Sequence, residues 1–80
     1  MLFRSEVTVQ VPPSVELRSL VEELRAEVPG ERDEVFVSSI EGSPTLTLRA
    51  WTESEAAAEQ LEHDLRLRAH AVLRERGLFA

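Results

Sequence analysis

Two histidines, His63 and His70, lie seven residues apart, and Glu59 precedes the first by four. Imidazole and carboxylate donors of this kind suit a divalent metal such as zinc. Their spacing speaks against it. On a helix rising ~1.5 Å per residue, the two rings stand about two turns apart, too far for one ion within one chain. They read as solvated surface groups, and no metal or other cofactor is expected. Arg66, Arg68, Arg74 and Arg76 crowd a second stretch that could hold an anion or nucleic acid. Glu53, Glu55, Glu59, Glu62 and Asp64 come just before them, and acids first and bases last is the order a helix dipole favours. No aromatic side chains stand beside these arginines as platforms for bases. With a net charge of −6, nucleic-acid binding is not expected. Three glycines are too few for a phosphate-cradling loop. Ser38, Ser39 and Ser43 have no histidine nearby in sequence, so no nucleophilic triad is drawn and catalysis is not expected.

The elements that carry these residues fit one domain over residues 1–80. The chain has 80 residues, 42% of them hydrophobic, enough for a single two-layer core. A domain of this size is marginally stable, so support from self-association is expected. There is no cysteine. Disulfides and thiolate metal sites are thereby excluded, and a reducing compartment is permitted. No apolar run approaches the ~20 residues of a membrane span, and no signal-peptide pattern opens the chain. A soluble, cytoplasmic protein is expected.

Residues 3–11 alternate, with Phe3, Ser5, Val7, Val9 and Val11 on one side and Arg4, Glu6, Thr8 and Gln10 on the other. This predicts a strand with one buried face, ended by Pro12 and Pro13. Ser14 is the expected cap of a first helix whose apolar stripe is Leu17, Leu20, Val21, Leu24 and Val28. Arg18 and Glu22 are spaced to pair on it. Pro29 and Gly30 should end it, and 31–33 is a charged loop. Residues 34–40 form a second strand, with Val35 and Val37 on one face and Phe36 and Ile40 on the other. The turn 41–44 makes a hairpin with a third strand, 45–51. There Leu46, Leu48 and Ala50 face the core, and Thr45, Thr47, Arg49 and Trp51 face away. A long helix follows over 52–77. Thr52 and Glu55 make a capping box, Ala58, Leu61, Leu65, Ala69, Val72 and Leu73 form the stripe, and Gly77 is the left-handed stop. Glu62–Arg66 and Asp64–Arg68 are spaced to pair on it.

The order β-α-β-β-α predicts an α+β fold. A right-handed crossover joins parallel strands one and two, and strand three lies between them in a three-stranded mixed sheet of order 1-3-2. Both helices cover one face, as in a ferredoxin-like split β-α-β without its last strand. The first strand then has an unpaired edge, carrying Val7 and Val9, on which another chain can pair. The uncovered sheet face carries Phe36, Ile40 and Trp51, which points to a covered interface. The long helix should overhang its strands, and Leu67 with Ala71 forms a second small apolar patch opposite the main stripe. A homo-oligomer through the open sheet face or the first-strand edge is expected.

A resemblance gives these surfaces a context. Residues 35–80 resemble the C-terminal cytoplasmic α/β domain of small-conductance mechanosensitive channels. The Gly42-Ser43 turn, the strand Thr45-Leu46-Thr47-Leu48-Arg49-Ala50-Trp51, the segment Leu61-Glu62-His63-Asp64-Leu65-Arg66-Leu67 and the closing Leu73-Arg74-Glu75-Arg76-Gly77-Leu78 carry it. The resemblance implies a non-catalytic domain whose copies assemble side by side as the wall of a cytoplasmic cage, with Trp51 and the hairpin near subunit contacts. These residues hold neither the family's transmembrane helices nor its middle β-domain, and Leu78-Phe79-Ala80 stands where the family has a proline-aromatic segment. An assembly module is expected rather than a channel, alone or as part of a longer membrane protein. By size and element order the chain is also similar to the small dimerising subunit of the KEOPS tRNA-modification complex, the alternative expectation.

Overall fold

The computed structural model describes residues 2–28, 30 and 32–78. Three strands and two helices run in the order β1 (Phe3–Gln10), α1 (Leu17–Arg25), β2 (Glu34–Ser39), β3 (Thr45–Thr52) and α2 (Glu55–Glu75). The sheet order is β1-β3-β2. Both ladders are antiparallel. The sheet is therefore antiparallel in its pairing rather than mixed. Strands β1 and β2 run in the same direction, but β3 lies between them and no parallel ladder forms.

Alternation in β1 and β3 sets the core. Val7, Leu46, Leu48 and Ala50 point to one side and are buried, and Val35 joins them from β2. Against that side lie Leu20 and Leu24 of α1 and Ala58, Leu65, Ala69, Val72 and Leu73 of α2. Val11, Leu20, Leu24, Val35, Leu46, Leu48, Ala69, Val72 and Leu73 make one cluster, so both helices cover the same face. Of the stripes expected from helical spacing, Leu20, Leu24, Ala58, Leu65, Ala69, Val72 and Leu73 are buried, and Leu17, Val21, Val28 and Leu61 are partly buried against the core.

The ends of the elements depart from expectation for local reasons. Thr52 does not cap α2. It pairs with Phe3 as the last residue of β3, and Ser54 takes the cap, its Oγ accepting the Ala57 N–H at 3.1 Å. Ser14 does not cap α1, because the Val15 N–H bonds back to Pro12 O in a turn. Glu16 caps instead, its carboxylate accepting from the Ser19 N–H at 2.8 Å. Helix α1 stops at Arg25, so Val28 lies beyond it while still packing on the core. The expected stop at Pro29 and the loop residue Glu31 fall outside the described residues. Gly77 behaves as expected, with φ +70°. The Gly77 N–H reaches Arg74 O and the Leu78 N–H reaches Leu73 O, both at 3.0 Å, the paired bonds of a Schellman motif. A Gly77→Ala variant places a Cβ in left-handed backbone and should lose about 1 kcal/mol, read as a lower denaturant midpoint with an unchanged slope.

With 21 residues, α2 is ~32 Å long, against ~26 Å for an eight-residue strand, so the overhang is smaller than the sequence suggested. Helix α1 has nine residues and covers only part of that length.

Candidate interaction surfaces

The open sheet face is more polar than its three large apolar residues suggest. At its centre Thr47 is only 4% exposed. It was expected to face away from the core and does so, but its neighbours cover it. Its Oγ1 donates to Ser38 Oγ at 3.0 Å and lies 3.4 Å from Thr8 Oγ1, while Ser38 Oγ donates to Thr45 O at 3.1 Å. Arg49 lies next along β3. Its Nε donates to Glu6 Oε2 at 2.9 Å, and its guanidinium carbon stands 5.0 Å from the centre of the Phe36 ring. Phe36 is half-buried under this arginine.

The structure does not gather Phe36, Ile40 and Trp51 into one patch. A bulge between Val37 and Ser39 ends β2 early, so Ile40 leaves the sheet for the hairpin turn and is 71% exposed. This corrects its placement on the second strand. Trp51, 37% exposed, sits near the other end of β3 opposite Arg4. The six steps from Thr45 to Trp51 span ~20 Å, so Ile40 and Trp51 mark opposite margins of the face. Val37, expected on the core face, is also exposed.

Trp51 is fixed through its main chain. Its N–H runs past the start of β2, where no strand partner remains, and donates to Asp33 Oδ1 at 3.2 Å. The other oxygen, Asp33 Oδ2, accepts from the Gly30 N–H at 2.7 Å. Asp33 thus joins the loop after α1 to the end of β3. An Asp33→Ala variant should lose about 1–2 kcal/mol, with the Trp51 emission shifting along with the urea midpoint.

The other candidates divide between the outer face of α2 and the edge of β1. Leu67 is 58% exposed on the side of α2 turned away from the sheet. Val7 lies in the core and Val9 is partly buried against it, so at the strand edge these residues offer main chain, not side chains. Among the described residues no strand pairs with the outer edge of β1. Every second residue there directs its N–H and C=O away from β3.

Two hollows line that edge, between β1 and the near flank of α2. One, about 240 Å³, lies among Phe3, Arg4, Glu55, Ala58, Glu59 and Glu62. The other, about 310 Å³, lies among Val7, Thr8, Val9, Gln10, Arg66, His70 and Leu73. The helix dipole accounts for acids preceding bases along α2, but it says nothing of which side they occupy. The sequence held that signal in the spacing of 55, 59, 62, 66 and 70, which keeps one flank.

His63 and His70 do not meet, and among the described residues no cluster of histidines, cysteines and carboxylates could hold a metal. The arginines expected to crowd together are drawn apart by their contacts. Arg66 pairs with Glu62 at 3.5 Å as the spacing predicts. Arg68 does not bond Asp64, which accepts from Gln60 at 3.2 Å; it donates to Glu27 O at 2.9 Å. Arg76 bonds Glu23, and also Ser19 at 2.9 Å, tying the end of α2 to α1. Among the described residues no helix is long and apolar enough to cross a membrane.

The surfaces therefore define a small α+β domain in which, among the described residues, the outer edge of β1 has no strand partner. Comparison with family models, curated proteins and solved structures found no match.

Proposed function

We propose that this chain is a non-catalytic interaction module that self-associates through the outer edge of β1. One observation carries the reading: the contrast between the two sheet edges. Edge strands in monomers are usually shortened, bulged or interrupted by proline. Strand β2 is six residues long and bulged. Strand β1 is eight residues long, pairs with β3 at every position without a bulge, and contains no proline. The open sheet face, with its hydrogen-bonded centre, supports the reading less well.

The fold reading that goes with this proposal is the ferredoxin-like split β-α-β lacking a fourth strand. The sequence likeness to the cytoplasmic domain of mechanosensitive channels supports an assembly role, within a ring or a larger cytoplasmic body. A second reading, a dimerising subunit of an RNA-modification complex of the KEOPS kind, is favoured by the same edge. Pairing like edges uses one patch on both copies and closes at two, whereas a ring needs two different patches.

Light scattering on the eluting peak of a sizing column tests the proposal. The expected mass is a multiple of 9.0 kDa at tens of micromolar protein. A strict monomer up to millimolar concentration would overturn it. Retention of tRNA at low salt would move the choice to the second reading, and its absence to the first.

A further inference from the structure

We infer that two copies pair β1 to β1, antiparallel about a two-fold axis, with the acidic half of each α2 flank against the basic half of the other. This rests on the reading of the chain as self-associating, and it specifies the partner and the contact.

The argument starts from the flank of α2 above the β1 edge. Residues 55, 59, 62, 66, 70 and 74 follow one another by three or four and so stay on one side of the helix. They read Glu55, Glu59, Glu62, then Arg66, His70, Arg74. The three acids begin beside Phe3 and Arg4, where Glu55, Glu59 and Glu62 share a hollow with them. Arg66 and His70 share the next hollow with Val7, Thr8, Val9 and Gln10. The change of sign between Glu62 and Arg66 therefore falls beside the middle of β1. All of these flank side chains are exposed except Glu62, which is half-exposed.

A two-fold axis beside the outer edge of β1, level with its middle, pairs the strand with its own copy in antiparallel register. It also sets α2 antiparallel to the second α2 on the same side of the enlarged sheet. Each acidic half then faces a basic half. A parallel pairing of the same edges would put the two α2 helices on opposite sides of the sheet, where their flanks do not meet, and a shifted antiparallel pairing would set like charges against each other near the axis. With each copy at a net charge of −6, general repulsion must be offset locally, and this arrangement does so. The two hollows at each edge then lie between the two α2 flanks, above the new strand pair.

The test is charge reversal with mixing. Glu59→Arg with Glu62→Arg leaves Glu55 as the one acid of these six positions, and Arg66→Glu with His70→Glu leaves Arg74 as their one base. Each double variant alone should self-associate at least about a hundredfold more weakly than the natural chain. Mixed one to one, they should recover a complex of twice 9.0 kDa. Folding of each variant is checked by circular dichroism. Should one fail to fold, cross-linking supplies a second measurement, since the chain has no cysteine of its own. Glu62→Cys, near the axis, should form a covalent dimer with a short bismaleimide, and Leu67→Cys, on the outer face, should not. Variants that associate as the natural chain does, mixtures that stay apart, or equal cross-linking at both positions would overturn this arrangement while leaving self-association standing. A natural chain that stays monomeric would instead remove the reading beneath it.

Discussion

Replacing Leu48 by alanine should cost about 2–5 kcal/mol, the largest loss expected from any single truncation in this chain. Leu48 is fully buried at the middle of β3, the central strand. In register it stands between Val7 on β1 and Val35 on β2, both buried. It belongs to the cluster that also holds residues from both helices. A cavity there is walled on every side by elements already fixed to one another, so it cannot easily collapse. A chain of 80 residues has a total stability of about 4–12 kcal/mol by the usual range per residue. The loss is thus a large share of the whole, and a substantial population of unfolded molecules is expected well below the natural melting temperature. Urea titration followed by far-ultraviolet circular dichroism and by Trp51 emission would measure it. The matching control is Leu67→Ala. Leu67 is 58% exposed, and its truncation should stay within about 0.5 kcal/mol. Equal losses at the two positions would overturn this layer order.

Leu48 is also a fair measure of what the sequence made legible. Its inward direction follows from strict alternation through residues 45–51, and the same pattern in β1 fixes Ser5, Val7 and Val11 inside. The two helical stripes were readable because burial on one side of a helix leaves a period that no other constraint imitates. Element ends were less readable. Threonine and serine both cap helices, and what chose Ser54 over Thr52 was the distant Phe3, which holds Thr52 in its ladder. The open sheet face was misjudged for a similar reason. Ile40 has the parity of a face residue, but a bulge is invisible to parity and turns it out of the strand. Arg49 and Phe36 are thirteen positions apart in sequence, on either side of a turn, and their stacking depends on register. The flank of α2 was present in the spacing of its charges. Its meaning required knowing that this flank, and not another, overlies the free edge of β1.

Substituting leucine for Ser5 should be the second most damaging change, at about 2–4 kcal/mol, and for a reason that links packing to the proposed assembly. Ser5 is a polar residue on an apolar stripe, 2% exposed. Its Oγ donates to Ala58 O in the first turns of α2 at 2.6 Å. Across the ladder from it is Ala50, fully buried. Ser5, Ala50 and Ala58 are all small, and this lets the beginning of α2 lie close on the sheet. Leucine removes the hydrogen bond and adds three heavy carbons where there is no room, so α2 must lift from β1 at its acidic end. Ser5→Ala removes only the bond and should cost about 1 kcal/mol. The pair of variants separates the two effects: a loss that is equal for alanine and leucine would show that closeness of packing is not what Ser5 secures. Lifting the acidic end would also carry Glu55 and Glu59 away from the β1 edge. Ser5→Leu should therefore weaken self-association more than its effect on folding alone explains, measurable by sedimentation at temperatures where the variant remains folded. Ser5→Ala, which leaves the helix seated, should associate as the natural chain does.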